Sequence, residues 1–260
     1  MKPFELLAQA HSPDGTLIEL KRRDREYVIL AAGRHLMSSR THASEESLAT
    51  LGCRHITATH PHHPTSHPTS HPTILIGGLG MGFTLRAALE LLPPRAKIIV
   101  AELIPEIVDW NRGPLAHLAN HPLADPRVHI EITDVAALLS SPAKAANSAR
   151  VAQSPPAASP AHPPQKFDAI LLDVDNAPAA FTDSANAHLY SAQGLASAHA
   201  SLNPGGTLAL WSATAHEDRN FTDRLRAANF TVRLEHTRAH ANNKGPRQTI
   251  YLAQKSESSR

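Results

Sequence analysis

Cysteine is nearly missing from this chain of 260 residues, which has one, Cys53. A single thiol cannot close an internal disulfide, so a stapled secreted scaffold is excluded. A structural zinc site built on thiolates is excluded too, because such sites take two to four cysteines. Aromatic residues make up only 4% of the chain, too few for a surface that stacks bases. Net charge is also scarce. Twenty-five Lys and Arg against 23 Asp and Glu leave +2 with His neutral, too little for a surface that tracks phosphates. Nucleic acid is therefore not an expected partner. Long apolar runs are missing as well. No stretch reaches the roughly 18 residues of a membrane span. The opening MKPFELLAQA is broken by Glu5 and Gln9, short of an uninterrupted secretory core of about 7–15 residues. The expectation is a soluble cytoplasmic protein that does not engage membranes.

Histidine and proline are abundant, at 18 and 21 residues. Part of the excess lies in two segments. His60–Thr73 reads HPHHPTSHPTSHPT, and Ser141–Gln165 reads SPAKAANSARVAQSPPAASPAHPPQ. Neither has a hydrophobic period, and Pro with small polar residues cannot repay ordering entropy. Both read as insertions, and the first is a poor preformed metal site despite its five His. No metal is expected.

Three ordered parts remain. Residues 1–59 read as a small β domain: strands at Thr16–Leu20 and Tyr27–Ala31 form a hairpin around the charged KRRDRE turn, followed by a helix with Ser44 as N-cap and two acids in its first turn. Residues 74–260, with the second insertion inside them, alternate strands and helices. Strands are expected at Ile74–Ile76, Lys97–Ala101, Val128–Ile132, Phe167–Leu172 and Thr207–Trp211, then at Phe230–Leu234 and Thr249–Ala253. Helices are expected at Phe83–Leu92, Pro105–Asn111, Gly194–Leu202 and Arg219–Ala228, with Asn203-Pro204-Gly205-Gly206 as a stop. Alternation of this kind means βαβ units and a mostly parallel sheet of seven strands, in which the late pair places one antiparallel strand. That is the α/β, Rossmann-like architecture of class I S-adenosylmethionine-dependent transferases.

Ligands in open α/β sheets bind at the carboxyl ends of the strands, and four features fall there. Gly77-Gly78-Leu79-Gly80-Met81-Gly82 follows a strand and precedes a helix, the context of a nucleotide fingerprint; Gly77, Gly78, Gly80 and Gly82 would let the backbone approach a ligand, or simply make a turn. Glu102 lies 22 residues beyond Gly80, placed either to accept ribose hydroxyls or to sit in solvent. Asp134 ends the third strand and could accept an adenine amino group or cap the helix Val135–Leu139. Asp173 and Asp175 follow the fourth strand. Their alternation sends them to opposite faces if the strand continues, and a carboxylate there could deprotonate or orient an amine.

With these residues assembled, the chain resembles the spermidine/spermine synthases, the polyamine aminopropyltransferases. The anchors are GGLGMG at Gly77–Gly82, VAEL around Glu102, DPRV at Asp125–Val128, TDV at Asp134, FDAILLDVDNAP at Phe167–Pro178 and NPGGTLALWS at Asn203–Ser212. The resemblance implies a transferase of polyamine biosynthesis and a homodimer. It implies decarboxylated S-adenosylmethionine or S-adenosylmethionine as cosubstrate, with ribose on Glu102, adenine near Asp134 and a putrescine-like amine facing Asp173. The chain departs from that family at two places. The glycine loop has Gly80 where the family has an Asp that holds an ammonium, and Asn176 stands at the second Asp of its DSSD-type motif. Two alternatives follow from these departures: a methyltransferase using intact S-adenosylmethionine, or a non-catalytic member of the fold that binds nucleoside.

Overall fold

The computed structural model describes residues 2–57, 71–139, 165–174, 187–240 and 244–257. Strands β1 (Glu5–His11), β2 (Leu17–Arg23), β3 (Glu26–Ala31) and β4 (Arg34–Ser38) come first, followed by helices α1 (Ala43–Gly52) and α2 (Arg54–Thr57). Then β5 (Thr73–Gly77), α3 (Phe83–Leu91), β6 (Lys97–Glu102), α4 (Pro105–Arg112), β7 (Val128–Ile132), α5 (Val135–Leu139) and β8 (Phe167–Leu172) alternate. The chain closes with α6 (Ala192–Ser201), β9 (Leu202–Ser212), α7 (Arg219–Ala227), β10 (Phe230–Arg238) and β11 (Arg247–Lys255). Asp175, Asn176, residues 58–70 and residues 140–164 lie outside the described residues.

The seven-stranded sheet runs β10-β11-β9-β8-β5-β6-β7. The pairs β9–β8, β8–β5, β5–β6 and β6–β7 are parallel, and β11 runs antiparallel to both of its neighbours. This is the expected α/β architecture, with the one reversed strand expected near the end of the chain. β5 and β8 are buried along almost their whole length, as strands covered on both faces must be. That is why they read as largely apolar runs and not as alternating ones, with Asp168 the one buried charge in β8.

The N-terminal β unit is larger than the expected hairpin. It is a four-stranded antiparallel meander in the order β1-β2-β3-β4. The KRRDRE stretch is mostly strand and not turn: Lys21 to Arg23 pair with Glu26 to Val28 across a tight reversal at Asp24, whose φ is +54°. The charges hide the alternation, because one long polar side chain follows another on an exposed rim. β1 and β4 escape the sequence pattern for a related reason. β4 is exposed except at its end, and β1 buries only Ala10 fully.

Two local expectations are corrected. Ser44 is not the N-cap of α1; His42 is, without a side-chain cap bond, and Ser44 lies buried inside the first turn. Asn203-Pro204-Gly205-Gly206 does end a helix, but β9 starts at Leu202 and runs through it. The pairing of β8 with β9 slips at that point, and Gly205 has φ +77°.

Helix α1 follows the meander yet lies on the large sheet. Glu45, Leu48, Ala49 and Gly52 share its buried face, the i, i+3, i+4, i+7 stripe of a helix packed on one side. Gly52 sets the approach, since a Cβ there would lie 2.3 Å from Leu171 Cδ2. Cys53 is buried beside it, and burial pushes its thiol up to about 12, so it behaves as a small core residue.

Candidate active site

Sheet order brings four strand ends side by side. β8, β5, β6 and β7 are consecutive in the sheet, each about 4.8 Å from the next. Their ladders continue past the strands. Asp173 N donates to Gly77 O at 2.9 Å, Gly78 N to Ala101 O at 2.9 Å, and Thr133 N to Glu102 O at 3.0 Å. Asp173, the glycine loop, Glu102 and Asp134 therefore form one rim. The spacing that set them apart in the sequence is what collects them here.

The glycine loop is drawn tightly over the end of β8. Gly78 has φ +86°, and a Cβ on it would sit 2.6 Å from the carbonyl oxygen of Asp173. Only glycine satisfies both constraints. Leu79 and Met81 turn inward and are buried. Gly80, also at positive φ, is roofed by Met37 from the end of β4: a Cβ on Gly80 would meet Met37 Cε at 2.8 Å and Sδ at 2.9 Å. Met81 N donates to the same sulfur at 3.2 Å. A thioether thus stands over the loop beside the residue that lacks a carboxylate.

Glu102 braces this loop. Its side chain is 5% exposed, and it accepts Leu79 N at 2.8 Å and Ile104 N at 2.9 Å. Burial pushes its carboxyl above the ordinary value, while the N–H groups of Ile104 and Leu79 pull it back. The backbone N–H groups of Leu103 and Gly80 also pull it down, so four backbone donors converge on a carboxylate with about four lone-pair sites. The solvated-acid alternative is ruled out by its burial. Asp134 takes the capping alternative: Oδ1 accepts Ala136 N at 2.8 Å, and Oδ2 lies 3.2 Å from His188 Nε2. Two apolar side chains beside these acids stay open to solvent, Leu103 at 41% and Ile132 at 50%. Leu103 follows Glu102 at the end of β6, and Ile132 ends β7 in register with Glu102, so exposed apolar groups lie at this polar rim. Near Asp134 a cavity of about 200 Å³ opens between α5 and α6, lined in part by Ala136, His188, Leu189 and Gly194. A wider, open depression along α7, lined by Asp218, Asn220, Asp223, Arg224 and Ala227, shares no residue with these strand ends.

Asp173 is the most perturbed of the expected acids. Thr84, in the first turn of α3, donates from Oγ1 to Asp173 Oδ2 at 2.8 Å. Burial raises the Asp173 carboxyl to about 6, against the pull of that hydrogen bond. Asp175 lies outside the described residues; among those described, the acid that accompanies Asp173 is Glu45 from α1. Glu45 is 6% exposed. Burial first, then the charge of Asp173, push its carboxyl to about 8, with the Ser44 hydroxyl bond opposing. Burial raises both acids, and the charge of Asp173 raises Glu45 further, so the pair holds a proton near neutral pH.

Sequence reading missed Glu45, Thr84, Met37 and His188. For Glu45 a signal existed. It stands in register with Leu48, Ala49 and Gly52, an acid on the apolar face of a helix, but it reads as a first-turn acid serving the helix dipole. Met37 and Thr84 carry no local signal, because only the tertiary fold brings them 43 and 89 residues along the chain to Gly80 and Asp173.

No protein-family profile matches the chain, and no curated protein matches it in sequence. Solved structures do match its fold. A spermidine synthase from Thermotoga maritima superposes with TM-score 0.64 and 18% identity, over 97% of this chain and 74% of that one. A spermidine synthase in complex with the transition-state analogue AdoDATO gives TM-score 0.62 and 18% identity, over 97% and 73%. A probable spermidine synthase from Corynebacterium glutamicum gives 0.58 and 15%, over 100% and 82%. The chain has the fold of the spermidine synthases, meander and seven-stranded sheet together.

Proposed function

From that shared fold, we propose that this protein is a transferase of the spermidine synthase type, which moves an aminopropyl group from decarboxylated S-adenosylmethionine to a small amine. One observation carries the reading. A carboxylate with its pKa raised toward neutrality, Asp173, stands one strand from a glycine loop that has no room for a side chain at Gly78. A general base works best when its pKa lies near the working pH.

The residues fit the cosubstrate. Glu102 places a carboxylate against the glycine loop for ribose hydroxyls, Leu103 and Ile132 offer apolar surface to a purine, and Asp134 presents a carboxylate beside them. No metal enters this chemistry. The sulfonium supplies a carbon already activated toward attack. Asp173 accepts the proton that an alkylammonium must lose before its nitrogen can attack that carbon, and Thr84 holds Asp173 in place meanwhile. The carbon–sulfur bond breaks with its electron pair left on sulfur, giving a neutral thioether and a secondary ammonium that keeps the positive charge.

A second reading has its own support. Gly80 brings no carboxylate to the loop, and Met37 covers it with an uncharged thioether. Such a wall neither attracts an ammonium nor repels a carboxylate, which suits intact S-adenosylmethionine and methyl transfer.

Incubation with each cosubstrate and a panel of amines decides. Methylthioadenosine formed from the decarboxylated compound and putrescine supports aminopropyl transfer. S-adenosylhomocysteine formed from the intact compound supports the methyltransferase. Binding without either product leaves a nucleoside-binding protein. The homodimer that accompanies the first reading is checked by light scattering.

A further inference from the structure

We propose that Glu45 is a specificity-determining residue of this site, a second acid that, with Asp173, receives the positive charge of the amine substrate. The inference rests on the reading of the site given above and extends it to an element, α1, that none of the expected motifs touches.

The geometry is as follows. Glu45 occupies the first turn of α1, on the face that packs against the large sheet and α3. Asp173 ends β8. The Thr84 hydroxyl ties the two elements, 2.8 Å from Asp173 Oδ2 and 3.3 Å from the Glu45 carbonyl oxygen. The side chains that act on the Glu45 carboxyl are neutral or acidic. Ser44 donates to its Oε2, Asp173 and Glu46 bring negative charge, and Thr84 is a hydroxyl. The nearby Arg86 is already engaged with Glu46, whose Oε1 also lies 2.7 Å from His42 Nδ1. Among the described residues, neither Glu45 nor Asp173 has an Arg or Lys ion pair.

A buried acid without a cation is costly, and structures keep one only when something compensates. Here the pair compensates by retaining a proton. An ammonium placed against the two acids would compensate better, because both could then ionise. The site therefore prefers a cation to a neutral or anionic acceptor. It releases the retained proton when that cation binds, and Asp173 remains free to accept the proton of the attacking nitrogen. The charge that the chain lacks at Gly80, and at Asn176 in the sequence motif, is supplied from another helix.

Calorimetry of the full-length protein with methylthioadenosine bound tests this, with putrescine as probe in two buffers of different ionisation enthalpy. Wild type is expected to bind putrescine at pH 7 with release of a fraction of a proton approaching one. Glu45→Gln, nearly isosteric, should bind at least tenfold more weakly and release none, and Glu45→Asp should recover part of both. Equal affinity and equal proton release in wild type and Glu45→Gln would overturn the proposal, as would a wild type that does not bind putrescine at millimolar concentration. Carbon-13 titration of the side-chain carboxyls gives a check that needs no variant. Two linked steps above the ordinary acid range are expected, and two independent steps near pH 4 would refute the pairing. Binding with proton release but no group transfer from either cosubstrate would support Glu45 while sinking the transferase reading.

Discussion

The Thr84 hydroxyl donates to Asp173 Oδ2 at 2.8 Å, across 89 residues of sequence. Among the described residues it is the one side-chain donor that opposes the burial of Asp173. Thr84→Val keeps the shape and removes the donor. The Asp173 carboxyl should rise further above about 6, and the acid limb of kcat/KM should move to higher pH with it. Stability should fall by about 1–2 kcal/mol for a buried acceptor left short of a partner. A pH–rate profile checks the first effect and urea unfolding the second.

Asp173→Asn tests the base directly. Turnover should drop roughly 10²–10⁴-fold, the usual contribution of a positioned proton acceptor, while methylthioadenosine binding stays within threefold. Full activity in this variant would remove Asp173 from the chemistry.

The pair also predicts a pH dependence of stability. Both folded-state values are raised, Asp173 from 3.8 to about 6 and Glu45 from 4.5 to about 8. Below about pH 3 both acids are largely protonated in either state, and their burial carries little charge penalty. As pH rises past the unfolded values the unfolded chain ionises freely and the folded pair resists, so stability falls until about pH 8 and then levels. Glu45→Gln removes its share of that loss. Its melting temperature should match wild type near pH 4 and exceed it above pH 8, by a stability on the order of 1–3 kcal/mol. Calorimetric melts at pH 4, 6 and 8.5 measure it.

Met37 and Gly80 should be energetically coupled. An Asp at position 80 would run its Cβ into the Met37 thioether at under 3 Å, so Gly80→Asp alone should destabilise by about 1–3 kcal/mol. Adding Met37→Ala should return part of that, leaving an interaction energy of about 1–2 kcal/mol in a double-mutant cycle. The double variant should also bind decarboxylated S-adenosylmethionine more tightly relative to the intact form, since a carboxylate then faces the tail. Denaturation curves and competition binding read the two effects.

Gly78→Ala should be among the most damaging single changes on the rim. It adds a left-handed backbone penalty of about 1–2 kcal/mol to a Cβ lying 2.6 Å from the Asp173 carbonyl oxygen. Thermal melts should show a large loss, and any folded fraction should have a displaced Asp173 and reduced turnover.

The sheet was legible in the sequence because its inner strands are buried on both faces, so that Ile74–Ile76 and Phe167–Leu172 could be little else. The rim was legible for the same reason: an acid at the end of a buried strand has few places to go. The meander was not, because β1 and β4 have mostly exposed side chains and an exposed strand carries no alternation to read. The acid pair was legible by half. Asp173 follows a strand and announces itself, whereas Glu45 sits where a helix dipole already accounts for an acid. What the sequence could not convey is the depth of burial, and depth is what separates a solvated carboxylate from one that keeps its proton.

Strand β11 follows β10 in the chain but lies between β9 and β10 in the sheet. During synthesis β9 and β10 must therefore wait with open edges for a segment made after both. Until Thr249 to Lys255 have emerged, β10 has no neighbour at all, and α1, which also touches β10 through the Ser47–Thr237 hydroxyl contact, has no firm platform there. The order of translation thus makes completion of the sheet a late, long-range event. A ribosome-bound chain that stops at the β10–β11 turn should be sensitive to protease and bound by chaperones, and release of the next ten residues should protect it.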